Sequence, residues 1–203
     1  MQVKKIWHKK CSHIFSVDTF PVIRKLQQRS SDSMELTDIA PLETWRELEK
    51  RINERSGMNA SIFNAEGVRI TDFVRWANRL CPVIKGNEKG QSYICSVAHQ
   101  NIAALSAKSC RPVIEACDAG MLKLVVPIFV NGNFLGVAGG CGCLEQKEDI
   151  DTFMINKTTG INAEKIARLS EGIPVMTRDE AASHACYIVN EVDRLIKAHE
   201  NTS

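Results

Sequence analysis

The sequence predicts an α+β fold in which an antiparallel sheet is flanked by helices and followed by a long C-terminal helix. One observation is a hairpin, since residues 121–130 are apolar and β-branched, an Asn-Gly turn follows at 131–132, and residues 134–138 return. Another is the last segment, which opens with a capping box of Thr177 and Glu180 and continues as an apolar stripe at helical spacing.

The residues before the hairpin predict the other elements of the sheet. Residues 41–56 predict a helix, and two short strands over 59–63 and 68–71 predict an opening hairpin. A helical segment containing Cys95 then leads to a strand over 112–116. This order of elements is that of a PAS- or GAF-like sensor, whose sheet and helices enclose a small-molecule cavity.

Charge divides the 203 residues into a basic N-terminal extension, residues 1–36, and a mildly acidic body, residues 37–203. Residues 1–31 carry seven Lys or Arg and one acid, Asp18. Such an arm can attract nucleic acid or an anionic membrane, but no nucleic-acid-binding signature accompanies it, so we expect a solvated tail. No window resembles a membrane span or a signal peptide, and the predicted location is therefore the cytoplasm.

Eight cysteines are the most informative feature of the composition. In a reducing compartment, clustered thiols are more often metal ligands or redox groups than structural disulfides. None forms a CxxC pair, so no zinc ribbon, thioredoxin-like or ferredoxin-like signature is present. The antiparallel hairpin is predicted to bring Cys117, Cys141 and Cys143 to the same end of the sheet.

Around Cys81, Cys95 and the segment CDAGM at 117–121, the chain resembles the PocR sensory domain. That family has a cysteine ahead of a helix, a second within it, a CHAGL-like motif and a Pro-Ile strand, the last matched here by residues 126–130. The resemblance covers residues 42–145 and implies a PAS-like fold that senses small molecules and is coupled to an output module.

Two departures from the family pattern bear on the ligand and the output. Asp118 stands where the family motif usually has His, and Cys141 and Cys143 stand where polar residues are commoner. Since no output domain follows the last helix, we expect a separate output protein or a response through oligomerisation.

The leading hypothesis is a cysteine-ligated centre for redox or gas sensing. Four thiolates satisfy either an iron–sulfur cluster or tetrahedral zinc. A cluster is favoured because zinc sites usually draw on a close CxxC pair. Buried core thiols, with Cys117 alone in a ligand pocket, are the remaining interpretation. The candidate ligands are Cys81, Cys95, Cys117 and one of Cys141 and Cys143.

Two further classes of function stay open. A small organic signal could bind in a metal-free cavity. A thiol enzyme could use a strained disulfide in Cys141-Gly142-Cys143, with His99 or His184 as activating base. No nucleophile elbow or phosphate loop is present, so we expect no enzymatic activity. The candidate residues for an organic ligand are Trp76, Tyr93, Asp118, Phe129 and Phe134.

The C-terminal helix has one further predicted role. Its apolar stripe is typical of either a core contact or the seam of a homodimer. In multi-domain sensors a helix at this position passes the signal on, and we expect homodimerisation through it.

Overall fold

The computed structural model describes residues 34–201, and almost all of the predicted basic extension lies outside them. The elements follow the predicted order, with a π-helical turn, Gln91–Ser96, ahead of the fifth helix. The helices are α1 (Leu36–Ile39), α2 (Leu42–Ser56), α3 (Leu80–Lys85), α4 (Glu88–Gly90), α5 (Val97–Ser109), α6 (Thr152–Thr159), α7 (Ala163–Ser170) and α8 (Arg178–Glu200). The strands are β1 (Asn59–Asn64), β2 (Val113–Ala116), β3 (Leu122–Val130), β4 (Asn133–Glu145) and β5 (Val175–Met176).

Four strands form an antiparallel sheet in the spatial order β1-β4-β3-β2, and the short β5 pairs in parallel with the end of β4. The Asn-Gly turn joins β3 to β4 as predicted, with φ of 51° at Asn131 and 79° at Gly132. The predicted α+β fold, with flanking helices and a long last helix, is confirmed.

The sheet lies between two layers of helices. On one face, β1, β3 and β4 contact α2 and α8 through fully buried apolar side chains such as Ile62, Leu124 and Ala138. Because side chains alternate along a strand, the neighbouring residues Asn59, Lys123 and Cys141 point to the other face. Helices α3 to α5 cover that second face.

The predicted second strand of the opening hairpin is wrong. Residues 68–71 make one isolated bridge, between Phe63 and Arg69. The amide of Ile62, which would continue such a ladder, donates instead to the buried carboxylate of Glu49 at 2.8 Å. A side chain from α2 thereby ends the pairing, and the chain leaves the sheet.

The second strand of the central hairpin is longer than predicted. Strand β4 runs through the glycine-rich segment to Glu145, so Cys141 and Cys143 lie within the strand rather than in a loop after it. A shift of register pairs Cys141 with Lys123 and Cys143 with Leu122, which are consecutive residues of β3. The two cysteines therefore face opposite sides of the sheet.

The last helix begins as predicted, with the reciprocal hydrogen bonds of the Thr177 and Glu180 capping box. Its apolar stripe is buried against α1, α2 and the sheet. The fully buried members are Ala181, Ala185 and Ile188. None of the helices within residues 34–201 has the length and hydropathy that crossing a bilayer would require.

The close approach of β3 and β4 at Gly139 allows the register of the sheet to be tested by mutation. A Cβ atom at Gly139 would lie 1.9 Å from the carbonyl oxygen of Leu124, so Gly139→Ala is expected to cost about 3 kcal/mol or more. A Cβ atom at Gly132 meets nothing within 4 Å, and Gly132→Ala should cost roughly 1 kcal/mol from its positive φ. Urea unfolding of both variants checks this, and equal losses would contradict the described register.

Candidate functional site

A cavity of about 180 Å³ lies between the second face of the sheet and the helices that cover it. Four of the five candidate cysteines line it, each from a different segment of the chain. Cys81 comes from α3, Cys95 from the π-helical turn, Cys117 from the position just after β2 and Cys141 from β4. Cys143 is 1% exposed on the other face of the sheet and does not line the cavity.

The four thiols are close enough to influence one another electrostatically. Burial, followed by the neighbouring Cys141 and Cys117 thiols, raises the pKa of Cys95 to about 11. Burial and Cys141 likewise raise the pKa of Cys81 well above its ordinary value, and burial raises that of Cys117. These three side chains are therefore held as neutral thiols despite the nearby charge of Lys123.

Asn78 fixes the position of Cys81, although nothing in the sequence singled it out. Its Oδ1 accepts hydrogen bonds from the amides of Leu80 and Cys81 at 2.9 and 2.7 Å, at the start of α3. Its Nδ2 donates to the carbonyl oxygen of Gly142 at 2.6 Å and lies 3.3 Å from Cys81 Sγ. One amide side chain thus ties α3 to the cysteine-bearing end of β4.

A second group of buried polar atoms, on residues that line the same cavity, has no hydrogen-bond partner among residues 34–201. A buried polar atom without a partner costs roughly 1–3 kcal/mol, so such a cluster favours a bound polar molecule. The atoms are Asn59 Oδ1, Arg69 Nε, Gln91 Oε1 and both ring nitrogens of His99.

The charges around the cavity are mostly positive. Lys123 is 8% exposed, and no carboxylate in the described part of the chain forms an ion pair with it. Lys85 lies over the ring of Trp76 at 5.7 Å, whereas the Arg69 guanidinium is paired with buried Glu49 at 3.4 Å. The carboxylate that lines the cavity belongs to Glu66.

His99 is kept neutral by these surroundings. Burial, then the charges of Lys123 and Lys85, lower the pKa of His99 to about 4. Its ring packs on Phe63, with centroids 3.8 Å apart. A neutral imidazole offers one donor and one acceptor to a ligand.

The residues predicted for an organic ligand are mostly elsewhere. Trp76 lines the cavity, but Tyr93 is 65% exposed and Asp118 is also exposed outside it. Phe129 and Phe134 contact each other, with ring centroids 5.4 Å apart, away from this cavity. Phe134 instead lines a shallower groove beside α5.

Within residues 34–201, no three His, Cys, Asp or Glu side chains are arranged so that they would hold a metal ion directly. The thiols share a cavity but do not form a closed coordination sphere. A metal or cluster at this position would require these side chains to move closer together.

The comparison with known families agrees with this arrangement. The model of a family described as "Sensory domain found in PocR" matches residues 38–199, most of the chain. The chain belongs to the PocR sensory domain family. Neither the search of curated proteins nor that of solved structures found a match. The PocR domain therefore spans both the cavity and α8, and the role of the chain is that of a sensor.

Neutral, buried His99 predicts a specific dependence of stability on pH. The unfolded state takes up a proton near pH 6.5, whereas the folded state resists it until about pH 4. Stability should thus fall as the pH is lowered through this window, by on the order of 3 kcal/mol. Urea unfolding at several pH values should show a shallower acid dependence for His99→Leu. Identical dependence in both proteins would contradict the burial of His99.

Proposed function

We propose that Cys81, Cys95, Cys117 and Cys141 form the signal-responsive centre of this PocR domain and hold an iron–sulfur cluster. The observation that carries the proposal is their convergence: four thiols, separated in the sequence, line one cavity. An iron–sulfur cluster takes four cysteine ligands and responds to redox state or to a reactive gas.

Binding of a metal centre would require the cavity thiols to lose their protons. Burial and mutual repulsion keep Cys81, Cys95 and Cys117 neutral, and a bound metal centre supplies the charge that permits their deprotonation. Zinc would satisfy the same ligands, although it more often binds a CxxC pair, which this chain lacks.

Anaerobic purification followed by a visible spectrum and iron, zinc and acid-labile sulfide analysis tests the proposal. We expect absorbance near ~400 nm with matching iron and sulfide. The Cys141→Ala variant should lose most of the colour. Cys143→Ala should retain it, because that side chain lies on the other face of the sheet.

The matched control is Cys110→Ala, since Cys110 is half-buried at the end of α5 and does not line the cavity. Colourless protein with stoichiometric zinc would show that the four cysteines bind zinc instead of an iron–sulfur cluster. Colourless, metal-free protein, or equal loss of colour in the Cys141→Ala and Cys110→Ala variants, would refute the proposed centre.

A metal-free organic signal is the second candidate, favoured by the unpartnered polar atoms of Asn59, Gln91 and His99. A cluster held by thiols does not by itself satisfy these atoms. A protein that lacks metal but is stabilised by a small polar molecule would favour this candidate.

Signal output is proposed to pass through α8 to a separate protein or a second copy of the chain. The central part of the stripe is buried within the domain, whereas Leu195 and Ile196 near its end are half-buried. Dimerisation through these residues predicts a sedimentation mass of twice 22.6 kDa, reduced to the monomer in Ile196→Glu. The exposed Lys197→Glu is the control, and monomeric wild-type protein would contradict the proposal.

A further inference from the structure

We propose that Cys81 and Met121 form a binding site for a soft monovalent metal ion, copper(I), inside the cavity. The inference rests on the proposed function in one respect, that thiols of this cavity bind metal, and it does not require an iron–sulfur cluster. It adds a thioether ligand and a second metal to a site described so far by its cysteines alone.

The sulfur atoms of the two residues are already in contact. Cys81 Sγ lies 3.4 Å from Met121 Sδ, and the thiol donates a hydrogen bond to the thioether. Both residues line the cavity, and Met121 is the only methionine among its described lining residues. Thiolate and thioether sulfurs are soft ligands that select soft metal ions such as copper(I).

Hydrogen bonds hold each sulfur-bearing residue in place. The Asn78 side chain accepts from the amide of Cys81 at 2.7 Å, and the Met121 carbonyl accepts from the amide of Cys117 at 2.8 Å, which closes a turn over residues 117–121. Nδ2 of Asn78 lies 3.3 Å from both Cys81 Sγ and Met121 Sδ. Such outer hydrogen bonds orient metal ligands, so the pair is preorganised.

Charge and coordination number favour a monovalent ion at this pair. A buried thiolate needs a compensating positive charge. One copper(I) ion on the Cys81 thiolate and the neutral Met121 thioether gives a complex without net charge, whereas zinc on four thiolates carries two negative charges. Copper(I) also accepts fewer ligands than zinc, which agrees with the lack, within residues 34–201, of three suitably placed His, Cys, Asp or Glu side chains.

Binding exchanges a proton for the metal ion. The Sγ–H bond of Cys81 breaks, its proton passes to the buffer, and copper(I) takes the place of that proton between the two sulfurs without a change of oxidation state. Because the ion is larger than a proton, the sulfurs move apart, and the rotatable side chain of Met121 permits this. The cavity of about 180 Å³ provides the space.

Anaerobic titration of the metal-free full chain with copper(I), in competition with the chelator bathocuproine disulfonate, measures the affinity. We expect one ion per chain to be retained against the chelator. Met121→Leu should weaken this binding about tenfold or more, because it removes one of the two sulfurs. Leucine has a similar volume and is also the last residue of the CHAGL-like motif, so the fold should be retained.

The matched control is Met58→Leu. Met58 is fully buried beside Gly140 and does not line the cavity, so this variant should bind copper(I) as tightly as wild-type protein. Cys81→Ala should lose the retained ion altogether. If Cys81→Ala does not fold, the comparison of Met121→Leu with Met58→Leu still decides the question.

Selenomethionine labelling detects the bond to Met121 itself. X-ray absorption at the copper edge should show a copper–selenium distance in labelled wild-type and Met58→Leu protein, and none in labelled Met121→Leu. Absence of this distance in wild-type protein, or equal copper(I) affinity of wild-type and Met121→Leu protein, would overturn the inference.

Iron and sulfide contents of the protein as purified test the cluster separately. Met121→Leu should leave them unchanged, because a cluster takes its four ligands from the cysteines. Colourless protein with Met121-dependent copper(I) binding refutes the cluster alone. A cluster-containing protein whose metal-free form binds copper(I) without dependence on Met121 refutes the copper site alone.

Discussion

Antiparallel pairing of β4 with both β1 and β3 is the constraint on which the rest of this domain depends. It places Asn59, Cys141 and Lys123 side by side, although the outer two are 64 positions apart in the numbering of the chain. The same pairing requires glycine at positions where the backbones approach most closely, since a Cβ atom at Gly139 would collide with the carbonyl oxygen of Leu124. The register of β4 with β1 and β3 thus explains both the glycines of β4 and the position of Cys141 in the cavity.

The two faces of the sheet divide the functions of the domain. The cavity and its four cysteines lie against one face, and the other face packs on α2 and α8. Strands β3 and β4 contribute residues to both faces, so a change at Lys123 or Cys141 lies one strand thickness from the buried surface of α8. The output proposed through α8 would use these contacts between the last helix and the two strands.

Much of the fold could be predicted from local signals. The Asn-Gly turn, the capping box at Thr177 and the helix at 42–56 each depend on neighbouring residues, and the structure contains them. The predicted strand at 68–71 is absent because the amide of Ile62 donates a hydrogen bond to Glu49 instead. Strand propensity does not encode such a contact between distant residues. The end of β4 was placed too early because its glycines are typical of loops, whereas close strand packing explains them.

The candidate site could be predicted only in part, again because long-range contacts decide its details. Family resemblance and hairpin geometry indicated the cysteines that the structure brings together, but not which of Cys141 and Cys143 faces the cavity. A one-residue register shift decides that question, and sequence periodicity does not contain it. Asn78 and Lys123 were missed because isolated polar residues carry no motif, and His99 was considered only as an activating base for a thiol; their positions arise from burial and from long-range contacts.

Disulfide mapping of the folded, metal-free protein tests the convergence of the thiols most directly, with diamide oxidation at alkaline pH because burial raises the pKa values of Cys81, Cys95 and Cys117. The account predicts cross-links among Cys81, Cys95, Cys117 and Cys141, while Cys110, which lies outside the cavity, remains a thiol. Preferential cross-linking of Cys110, or the absence of any cross-link among the four, would contradict the claim that these cysteines share one site.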